Sequence, residues 1–468
     1  MISWLFFIYF IYFSALMFYY LFLGLIGIFE GKRREMEHES EDYSSFAVSN
    51  FTIPVSIIVP AHNEETWIKN AVQSLLNLNY PEFEIIVVND GSTDRTLECL
   101  IELLDLEALH NPYMDYFQAG SPASKSGSVY GIYKSKKYAG VKVLSKASGY
   151  KKAGAINAGL NFAKYKYVCV IDADTVLEPD ALLKVMVHVE KDPDSVIGIG
   201  SYFGLSNGFK IENGKILDRS FSYRPIIAYQ NLEYIRSFIG NRIAWSRFNA
   251  SPIISGGFGV WRRDIVMEVG GFSHLYSSED LEFTFRVRDY LVKNRKKGYK
   301  LIMLPYHIGW THGPGNVAAL IKQRNRWQRV MNEAVDSYKH MIFNPRYGSF
   351  GLLTAPYFLF YEMLGVFFEF SSLVIAIVGF AAGFIQLKIF LTFFCFVVLT
   401  QAFISLLYLL TFVRSQNMMS FRYIAYLSAL SIFELFWYRW IILIAKIAGT
   451  ISYVRRIRTH DQFLRTSN

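Results

Sequence analysis

Two aspartates, Asp172 and Asp174, close the run "KYVCVIDADT" at i and i+2, so on an extended backbone they point to one side. Converging carboxylates at a strand end repel each other unless a cation lies between them. A hard divalent ion with oxygen ligands, Mg2+ or Mn2+, suits that place and would bring a diphosphate with it. Read singly, "DAD" is a common accident, and "NDGSTD" is an ordinary turn in which Asp and Gly serve the backbone. In "GYKKAGAINAGL", Lys151 and Lys152 open a predicted helix, where the macrodipole disfavours cations. An anionic ligand at that helix start relieves the conflict; for Lys151 a solvated surface lysine is the plainer reading. "YSSEDLEFTFRV" puts Glu279 and Asp280 at another predicted helix start, capped by Ser277 or Ser278. Acidic residues there stabilise the helix by default. The functional alternative makes Asp280 a general base whose pKa the neighbouring Glu279 raises by like-charge repulsion. Finally, "IKQRNRWQRV" sets Gln323, Arg326 and Trp327 at i, i+3 and i+4, on one helix face. They offer an amide, a phosphate-forking cation and a flat ring; the bland alternative is an interfacial helix with a snorkelling Arg and an anchoring Trp.

The elements that must position these residues are legible from periodicity. "VSIIVPAHNEE" begins with a β-branched run, the mark of a buried strand, and stops at Pro60. Ile68, Val72, Leu75 and Leu76 then mark a helix face. "FEIIVVNDGSTD" and "KYVCVIDADT" repeat the strand-then-polar-loop pattern, the latter after a helix with Ile156, Leu160 and Ala163 on one side. Strands alternating with helices predict an α/β fold with a parallel, doubly wound sheet, whose ligands bind at the carboxyl ends of the strands. Asp90, Asp172 and Asp174 fall at those ends.

The chain has 468 residues, 52% hydrophobic, 17% aromatic and only 19% charged. A soluble enzyme rarely combines so few charges with so many aromatics. Residues 4–29 carry no charge and exceed the roughly 20 residues that span a bilayer. Further apolar stretches fall at 356–384, 389–413 and, interrupted by Glu434, Arg439 and Lys446, 423–450. The expected plan is a transmembrane helix (1–30), a linker (31–50), a globular domain with interface helices (51–335), transmembrane or interface helices (336–450) and a basic tail (451–468). The first stretch lacks preceding basic residues and a cleavage site, so it reads as an anchor, not a signal peptide. Lys32, Arg33 and Arg34 follow it, which by the positive-inside rule predicts a multi-pass protein of the cell membrane with its large domain in the cytoplasm. The basic tail favours the same side only if 423–450 does not cross. Cys99, Cys169 and Cys395 form neither a disulfide framework nor a CxxC site, as in a reducing compartment. The net charge of +9 suits anionic membrane lipid and a phosphorylated substrate; no nucleic-acid module is seen.

In order and spacing, these pieces resemble the family-2 glycosyltransferases of GT-A fold. Their membrane-bound branch is the closer match, with the cellulose, chitin, hyaluronan and poly-N-acetylglucosamine synthases. The likeness covers roughly residues 54–330 closely and the membrane region loosely, which gives the expected class: a GT-A doubly wound mixed sheet plus an α-helical transmembrane region. "VPAHNEE", with Pro60 and Glu64, looks like the family's opening nucleotide loop. In "NDGSTD", Asn89 stands where the family has a first Asp, and Asp90 matches the residue holding the uracil of a uridine nucleotide. Lys152 matches a lysine facing the diphosphate, Asp172 and Asp174 the DxD metal motif, and Asp280 the catalytic base. "SGGFGVWRR", with Gly257 and Phe258, resembles the loop lining the acceptor site. "QRNRW" matches the QxxRW signature, in which Gln323 and Trp327 would hold the acceptor's terminal sugar while Arg326 meets the leaving diphosphate. The resemblance implies an inverting transfer from a UDP-sugar, GlcNAc or glucose first, to a growing polysaccharide. The alternatives are a non-processive transferase on a lipid-linked acceptor and a non-catalytic nucleotide-sugar-binding or polymer-export component. Three departures stand out. Residues 105–140 are longer than usual and read as a low-order surface excursion. His312 in "WTHGPGN" replaces an expected carboxylate. The membrane region is short, which is compatible with a homo-oligomer, an accessory membrane subunit or a single addition per acceptor.

Overall fold

Strand β1 (Val55–Ala61) is buried at every residue, as the β-branched run requires of a strand covered on both faces. It lies parallel to β2 (Phe83–Asp90), with Val55 opposite Phe83 and Ala61 opposite Asn89. The structure, a computed structural model, describes residues 2–49, 52–109, 125–383, 385–416 and 418–466. The remaining strands are β3 (Leu106–Ala108), β4 (Val129–Ser135), β5 (Val141–Lys146), β6 (Tyr167–Ile171), β7 (Val176–Leu177), β8 (Val196–Leu205), β9 (Lys210–Glu212), β10 (Lys215–Asp218), β11 (Phe258–Arg262) and β12 (Lys300–Thr311). Ten of them form one sheet in the order β3-β4-β5-β2-β1-β6-β11-β8-β12-β7, and β9 and β10 form a separate ribbon.

The pairing explains where a site must lie. β5, β2, β1 and β6 are mutually parallel. β11 runs antiparallel between β6 and β8, and β12 is parallel to β8. Six strands therefore deliver their carboxyl ends, and β11 its amino end, to the same edge of the sheet. Asp90, Lys146, Asp172 and Thr311 arrive there together. Because Phe258 sits opposite Ile171, the loop entering β11 is held against Asp172. The α/β mixed sheet is as expected, with two corrections. "GFGVWRR" supplies a central strand, β11, and not only a loop; its glycines hid the strand pattern. The 105–140 segment is not all surface excursion, since β4 extends the sheet antiparallel to β5 and β3 adds antiparallel to β4; residues 110–124 lie outside the described residues.

Helix Lys151–Phe162 also differs from its one-sided reading: every residue from Ala153 to Asn161 is buried.

By internal contacts the chain divides into one unit of Arg33–Phe221 and Ser251–Gly313, which holds the sheet, and another of Met1–Lys32, Ser222–Ala250 and Pro314–Asn468. Residues 222–250 and 314–335 thus group with the apolar helices, not with the sheet. Two helices, Phe7–Glu39 and Leu387–Val413, are long and apolar enough to cross a membrane. Two bent pairs, Phe350–Met363 with Gly365–Ala381 (40°) and Phe421–Phe436 with Tyr438–Arg456 (54°), raise the number to four if each pair is one span. The charges that interrupt 423–450 are paired. Arg236 grips Glu434 through two bonds of 2.7 and 2.8 Å, Arg439 Nε meets Glu369 at 2.9 Å, and Lys446 meets Glu362 at 2.9 Å. Among apolar helices, pairing of this kind is what makes such groups tolerable.

Candidate active site

Lys152, in the first turn of helix Lys151–Phe162, is the hub of the site. Its ammonium lies 2.5 Å from Asp172 Oδ1 and 2.8 Å from Glu279 Oε1, and it donates to the carbonyl of Gly256 at 3.1 Å. The conflict between a cation and the helix start is thus relieved by two carboxylates of the protein itself. Burial would lower the Lys152 pKa, but Asp172 and Glu279 more than offset it and hold the charge in place. Lys151 instead donates to the Tyr276 carbonyl at 2.8 Å.

Gly256 closes the hub. A Cβ there would stand 2.8 Å from Lys152 Nζ and 2.9 Å from Glu279 Oε1, so no side chain fits without displacing the ion pair. The Gly256 amide donates to Asp280 Oδ2 at 3.1 Å. Asp280 Oδ1 accepts from Ser278 Oγ at 3.0 Å and from the Leu281 amide at 2.9 Å. The expected serine cap is absent: the N-cap is Glu279, with no side-chain cap bond. Ser278 turns its hydroxyl to Asp280 instead. Glu279, expected to repel Asp280, has its charge compensated by Lys152.

The second carboxylate group lies beside the first. Asp174 Oδ1 accepts from Thr311 Oγ1, at the end of β12, at 3.2 Å. Burial and then the Asp172 charge push the Asp174 pKa up to about 6. Burial, reinforced by Asp174 and Asp172, pushes Glu64 up to about 7. Burial also raises Asp172, against the pull of Lys152. Glu64, Asp172 and Asp174 therefore form an acidic group with more negative charge than its surroundings balance. Among the described residues, no three His, Cys, Asp or Glu side chains make a ready cage for a metal ion. The donors nonetheless fit Mg2+ or Mn2+, which commonly take one or two carboxylates and complete their shell with water and substrate phosphates.

The other residues singled out in the sequence are distributed as follows. Asp90 ends β2, nearly buried and paired with Lys146. Pro60 is buried within β1 and offers its backbone only. Gly257 borders the site, since a Cβ on it would be 3.4 Å from Asp172 Oδ2 and 3.0 Å from Phe203. Phe258 is a correction: fully buried at the start of β11, it has no surface for an acceptor and instead anchors the loop before it. His312 lies against Trp67 with ring centroids 4.7 Å apart. Asn207 approaches its Nε2 at 3.2 Å, and burial lowers its pKa; it supplies a neutral ring where a carboxylate was expected.

Gln323, Arg326 and Trp327 lie, as predicted, on one helix, Val317–Ser337, capped by Asn316, whose side chain accepts from the Ala319 amide. Trp327 is 39% exposed. The sequence reading missed the residue that fixes this face, Arg324. Its guanidinium stacks 4.1 Å from the Trp327 ring centre, donates to Gln323 Oε1 at 3.0 Å and pairs with Glu233 at 2.5 Å. An arginine three residues before a tryptophan on a helix was the available signal.

An α/β sheet that gathers a lysine hub and a carboxylate group at its strand ends has the architecture of a ligand-binding enzyme domain. Residues 53–330 match the family described as glycosyltransferase like family 2, and the chain belongs to it. Among its relatives is a poly-beta-1,6-N-acetyl-D-glucosamine synthase of Staphylococcus epidermidis, 27% identical over 284 residues, 60% of this chain and 55% of the relative. Another is a probable glycosyltransferase, YdaM, of Bacillus subtilis, 28% identical over 281 residues, 59% and 54% of the two chains. The chain thus spans about half the length of these curated relatives. In shape it is similar to a mannosyltransferase of Pyrobaculum calidifontis solved with GDP-Man and Mn2+ (TM-score 0.48, 16% identity, 93% of this chain and 95% of that chain). It is also similar to TarS 1-349 of S. aureus solved with UDP-GlcNAc (TM-score 0.39, 15% identity, 86% and 92%).

Proposed function

We propose that this chain transfers a sugar with inversion from a UDP-sugar to a growing polysaccharide at the cytoplasmic face of the membrane. The observation that carries the reading is the convergence of Asp172 and Glu279 on Lys152 and of Lys152, Glu279 and Asp280 on Gly256, with Glu64 and Asp174 held as high-pKa carboxylates beside them. In the reaction an acceptor hydroxyl oxygen bonds to the anomeric carbon as the bond from that carbon to the diphosphate oxygen breaks. Asp280 takes the hydroxyl proton; its two hydrogen-bonded oxygens are fixed in direction. General-base assistance of this kind is worth about 10²–10⁴-fold. Lys152 meets the charge arriving on the leaving diphosphate, an interaction that strengthens as the bond breaks. Asp172 and Asp174 would hold a divalent cation, whose chemistry is to neutralise charge on the leaving diphosphate. Arg326 is assigned to the diphosphate, and Gln323 and Trp327 to the acceptor sugar, on the strength of their QxxRW motif and the Arg324 support of the indole.

N-acetylglucosamine is the favoured sugar because the Staphylococcus relative is named for that polymer; glucose is the runner-up. Two long apolar helices and the Lys32–Arg34 cluster that follows the first favour the membrane location and cytoplasmic side. The test is to incubate the purified full-length protein with a panel of UDP-sugars and Mn2+, then size and digest the products over time. Long polymer at low turnover supports the reading, and single additions support a lipid-linked acceptor. Nucleotide binding without UDP release would make the chain a non-catalytic component.

A further inference from the structure

Lys146, the last residue of β5, has no exposed surface, a rare state for lysine unless it is paired. Register sets it opposite Asp90 at the end of β2, and its ammonium forms a buried ion pair with Asp90 Oδ1. The same ammonium donates to the carbonyls of Ala147 at 2.9 Å and Gly149 at 3.2 Å. An ammonium has three donors, and Lys146 gives all three to Asp90 and the two loop carbonyls. Lys152 also has three partners, but its side chain is 29% exposed where that of Lys146 is wholly buried, so only Lys152 can exchange a protein partner for a phosphate.

The surroundings are shaped around this contact. Gly91, directly after Asp90, has φ +61°, and a Cβ on it would lie 2.5 Å from the Ser148 amide nitrogen. A Cβ on Gly127 would come within 3.0 Å of Lys146 Cε. The chain after β5 and the chain before β4 thus close on the Lys146 ammonium, while Gly91 lets the chain after β2 pass against Ser148.

We propose that Lys146 is a positioning residue for recognition of the nucleotide base. It fixes Asp90 through Oδ1, so that Oδ2 is left to accept the ring N–H of a uracil. Cytosine, which presents a bare nitrogen acceptor at that ring position, is repelled by the same oxygen. The inference rests on the proposed use of a UDP-sugar and on the assignment of Asp90 to the uracil that the family resemblance implies. Without Lys146 the carboxylate would be buried and unbalanced, and its direction would be lost.

The test is calorimetric binding of UDP, CDP and inorganic pyrophosphate, each with Mn2+, to the full-length protein in detergent. Lys146→Met is expected to weaken UDP by about tenfold or more, the scale of a hydrogen bond to a charged group. It should also narrow the preference for UDP over CDP, with pyrophosphate affinity held within about twofold. Asp90→Asn strands the buried Lys146 ammonium, and adding Lys146→Met removes that charge as well; the double variant is expected to differ from Asp90→Asn in UDP affinity by less than about twofold. Parent-like UDP binding by Lys146→Met, when Asp90→Asn has lost it, overturns the inference. So does an equal loss of UDP and pyrophosphate, which is a merely structural effect, or a large further loss in the double variant. Parent-like UDP binding by Asp90→Asn alone has a different meaning: the base assignment itself is wrong.

Discussion

The carboxylates around Lys152 were placed by the sequence more fully than the cations. Asp172 and Asp174 stood out because carboxylates at i and i+2 on a strand end converge and repel without a cation, and Asp280 because it matches the family's catalytic base, a helix start being otherwise an ordinary place for an acidic residue. Lys146 was invisible: one lysine in a lysine-rich stretch reads as surface, and only the register of β5 on β2 shows it buried against Asp90. The raised carboxylates carry a pH dependence. Asp174 at about 6 and Glu64 at about 7 keep protons that the unfolded chain releases near pH 4. The metal-free fold therefore loses stability as pH rises through that window, and a cation is bound more readily as the protons leave. Mn2+-dependent UDP binding should strengthen from about pH 5.5 to about pH 8, with apparent midpoints that belong to the cluster and not to single residues. Calorimetry at several pH values checks this, and a flat profile contradicts it. Asp174→Ala should weaken that binding by about tenfold or more and flatten its pH response; indifference to both the substitution and the metal would remove the cation from the account.

At the scale of elements, β1, β2 and β6 were readable because buried parallel strands are continuous β-branched runs. β11 was not, because glycine and tryptophan replace that signature and its pairing between β6 and β8 is set by contacts remote in sequence. Helix Val317–Ser337 was readable from its spacing, yet the face that carries Trp327 is held by Arg324, which pairs with Glu233, 91 positions earlier. That dependence is testable. Trp327→Ala should leave UDP-sugar binding intact and abolish transfer to acceptor. Arg324→Ala should do the same more weakly, by loosening the indole it stacks on. Donor titration alongside a transfer assay separates the effects; loss of donor binding in Trp327→Ala would take the indole out of the acceptor role.

For the whole molecule, apolar length gave the two long helices at once, while the bends within the other two stretches could not be read from composition. The charges in 423–450 left its crossing open, and their partners Arg236, Glu369 and Glu362 were not foreseen. Nor was the grouping of residues 222–250 with the apolar helices, since it depends on packing and not on local pattern. Arg236→Ala leaves Glu434, 2% exposed, without its cation, a change that typically costs about 3–5 kcal/mol. Thermal unfolding in detergent should show a clear fall in midpoint for Arg236→Ala, and an unchanged midpoint would mean the pair adds nothing to the fold.

The central claim is that Asp280 removes the acceptor proton while the neighbouring charges hold the donor. It is tested most directly by Asp280→Asn in the purified full-length protein, with UDP-GlcNAc binding and sugar transfer measured on the same preparation. The account predicts nearly unchanged donor affinity and a loss of transfer of about 10²–10⁴-fold. Transfer at the parent rate would contradict it.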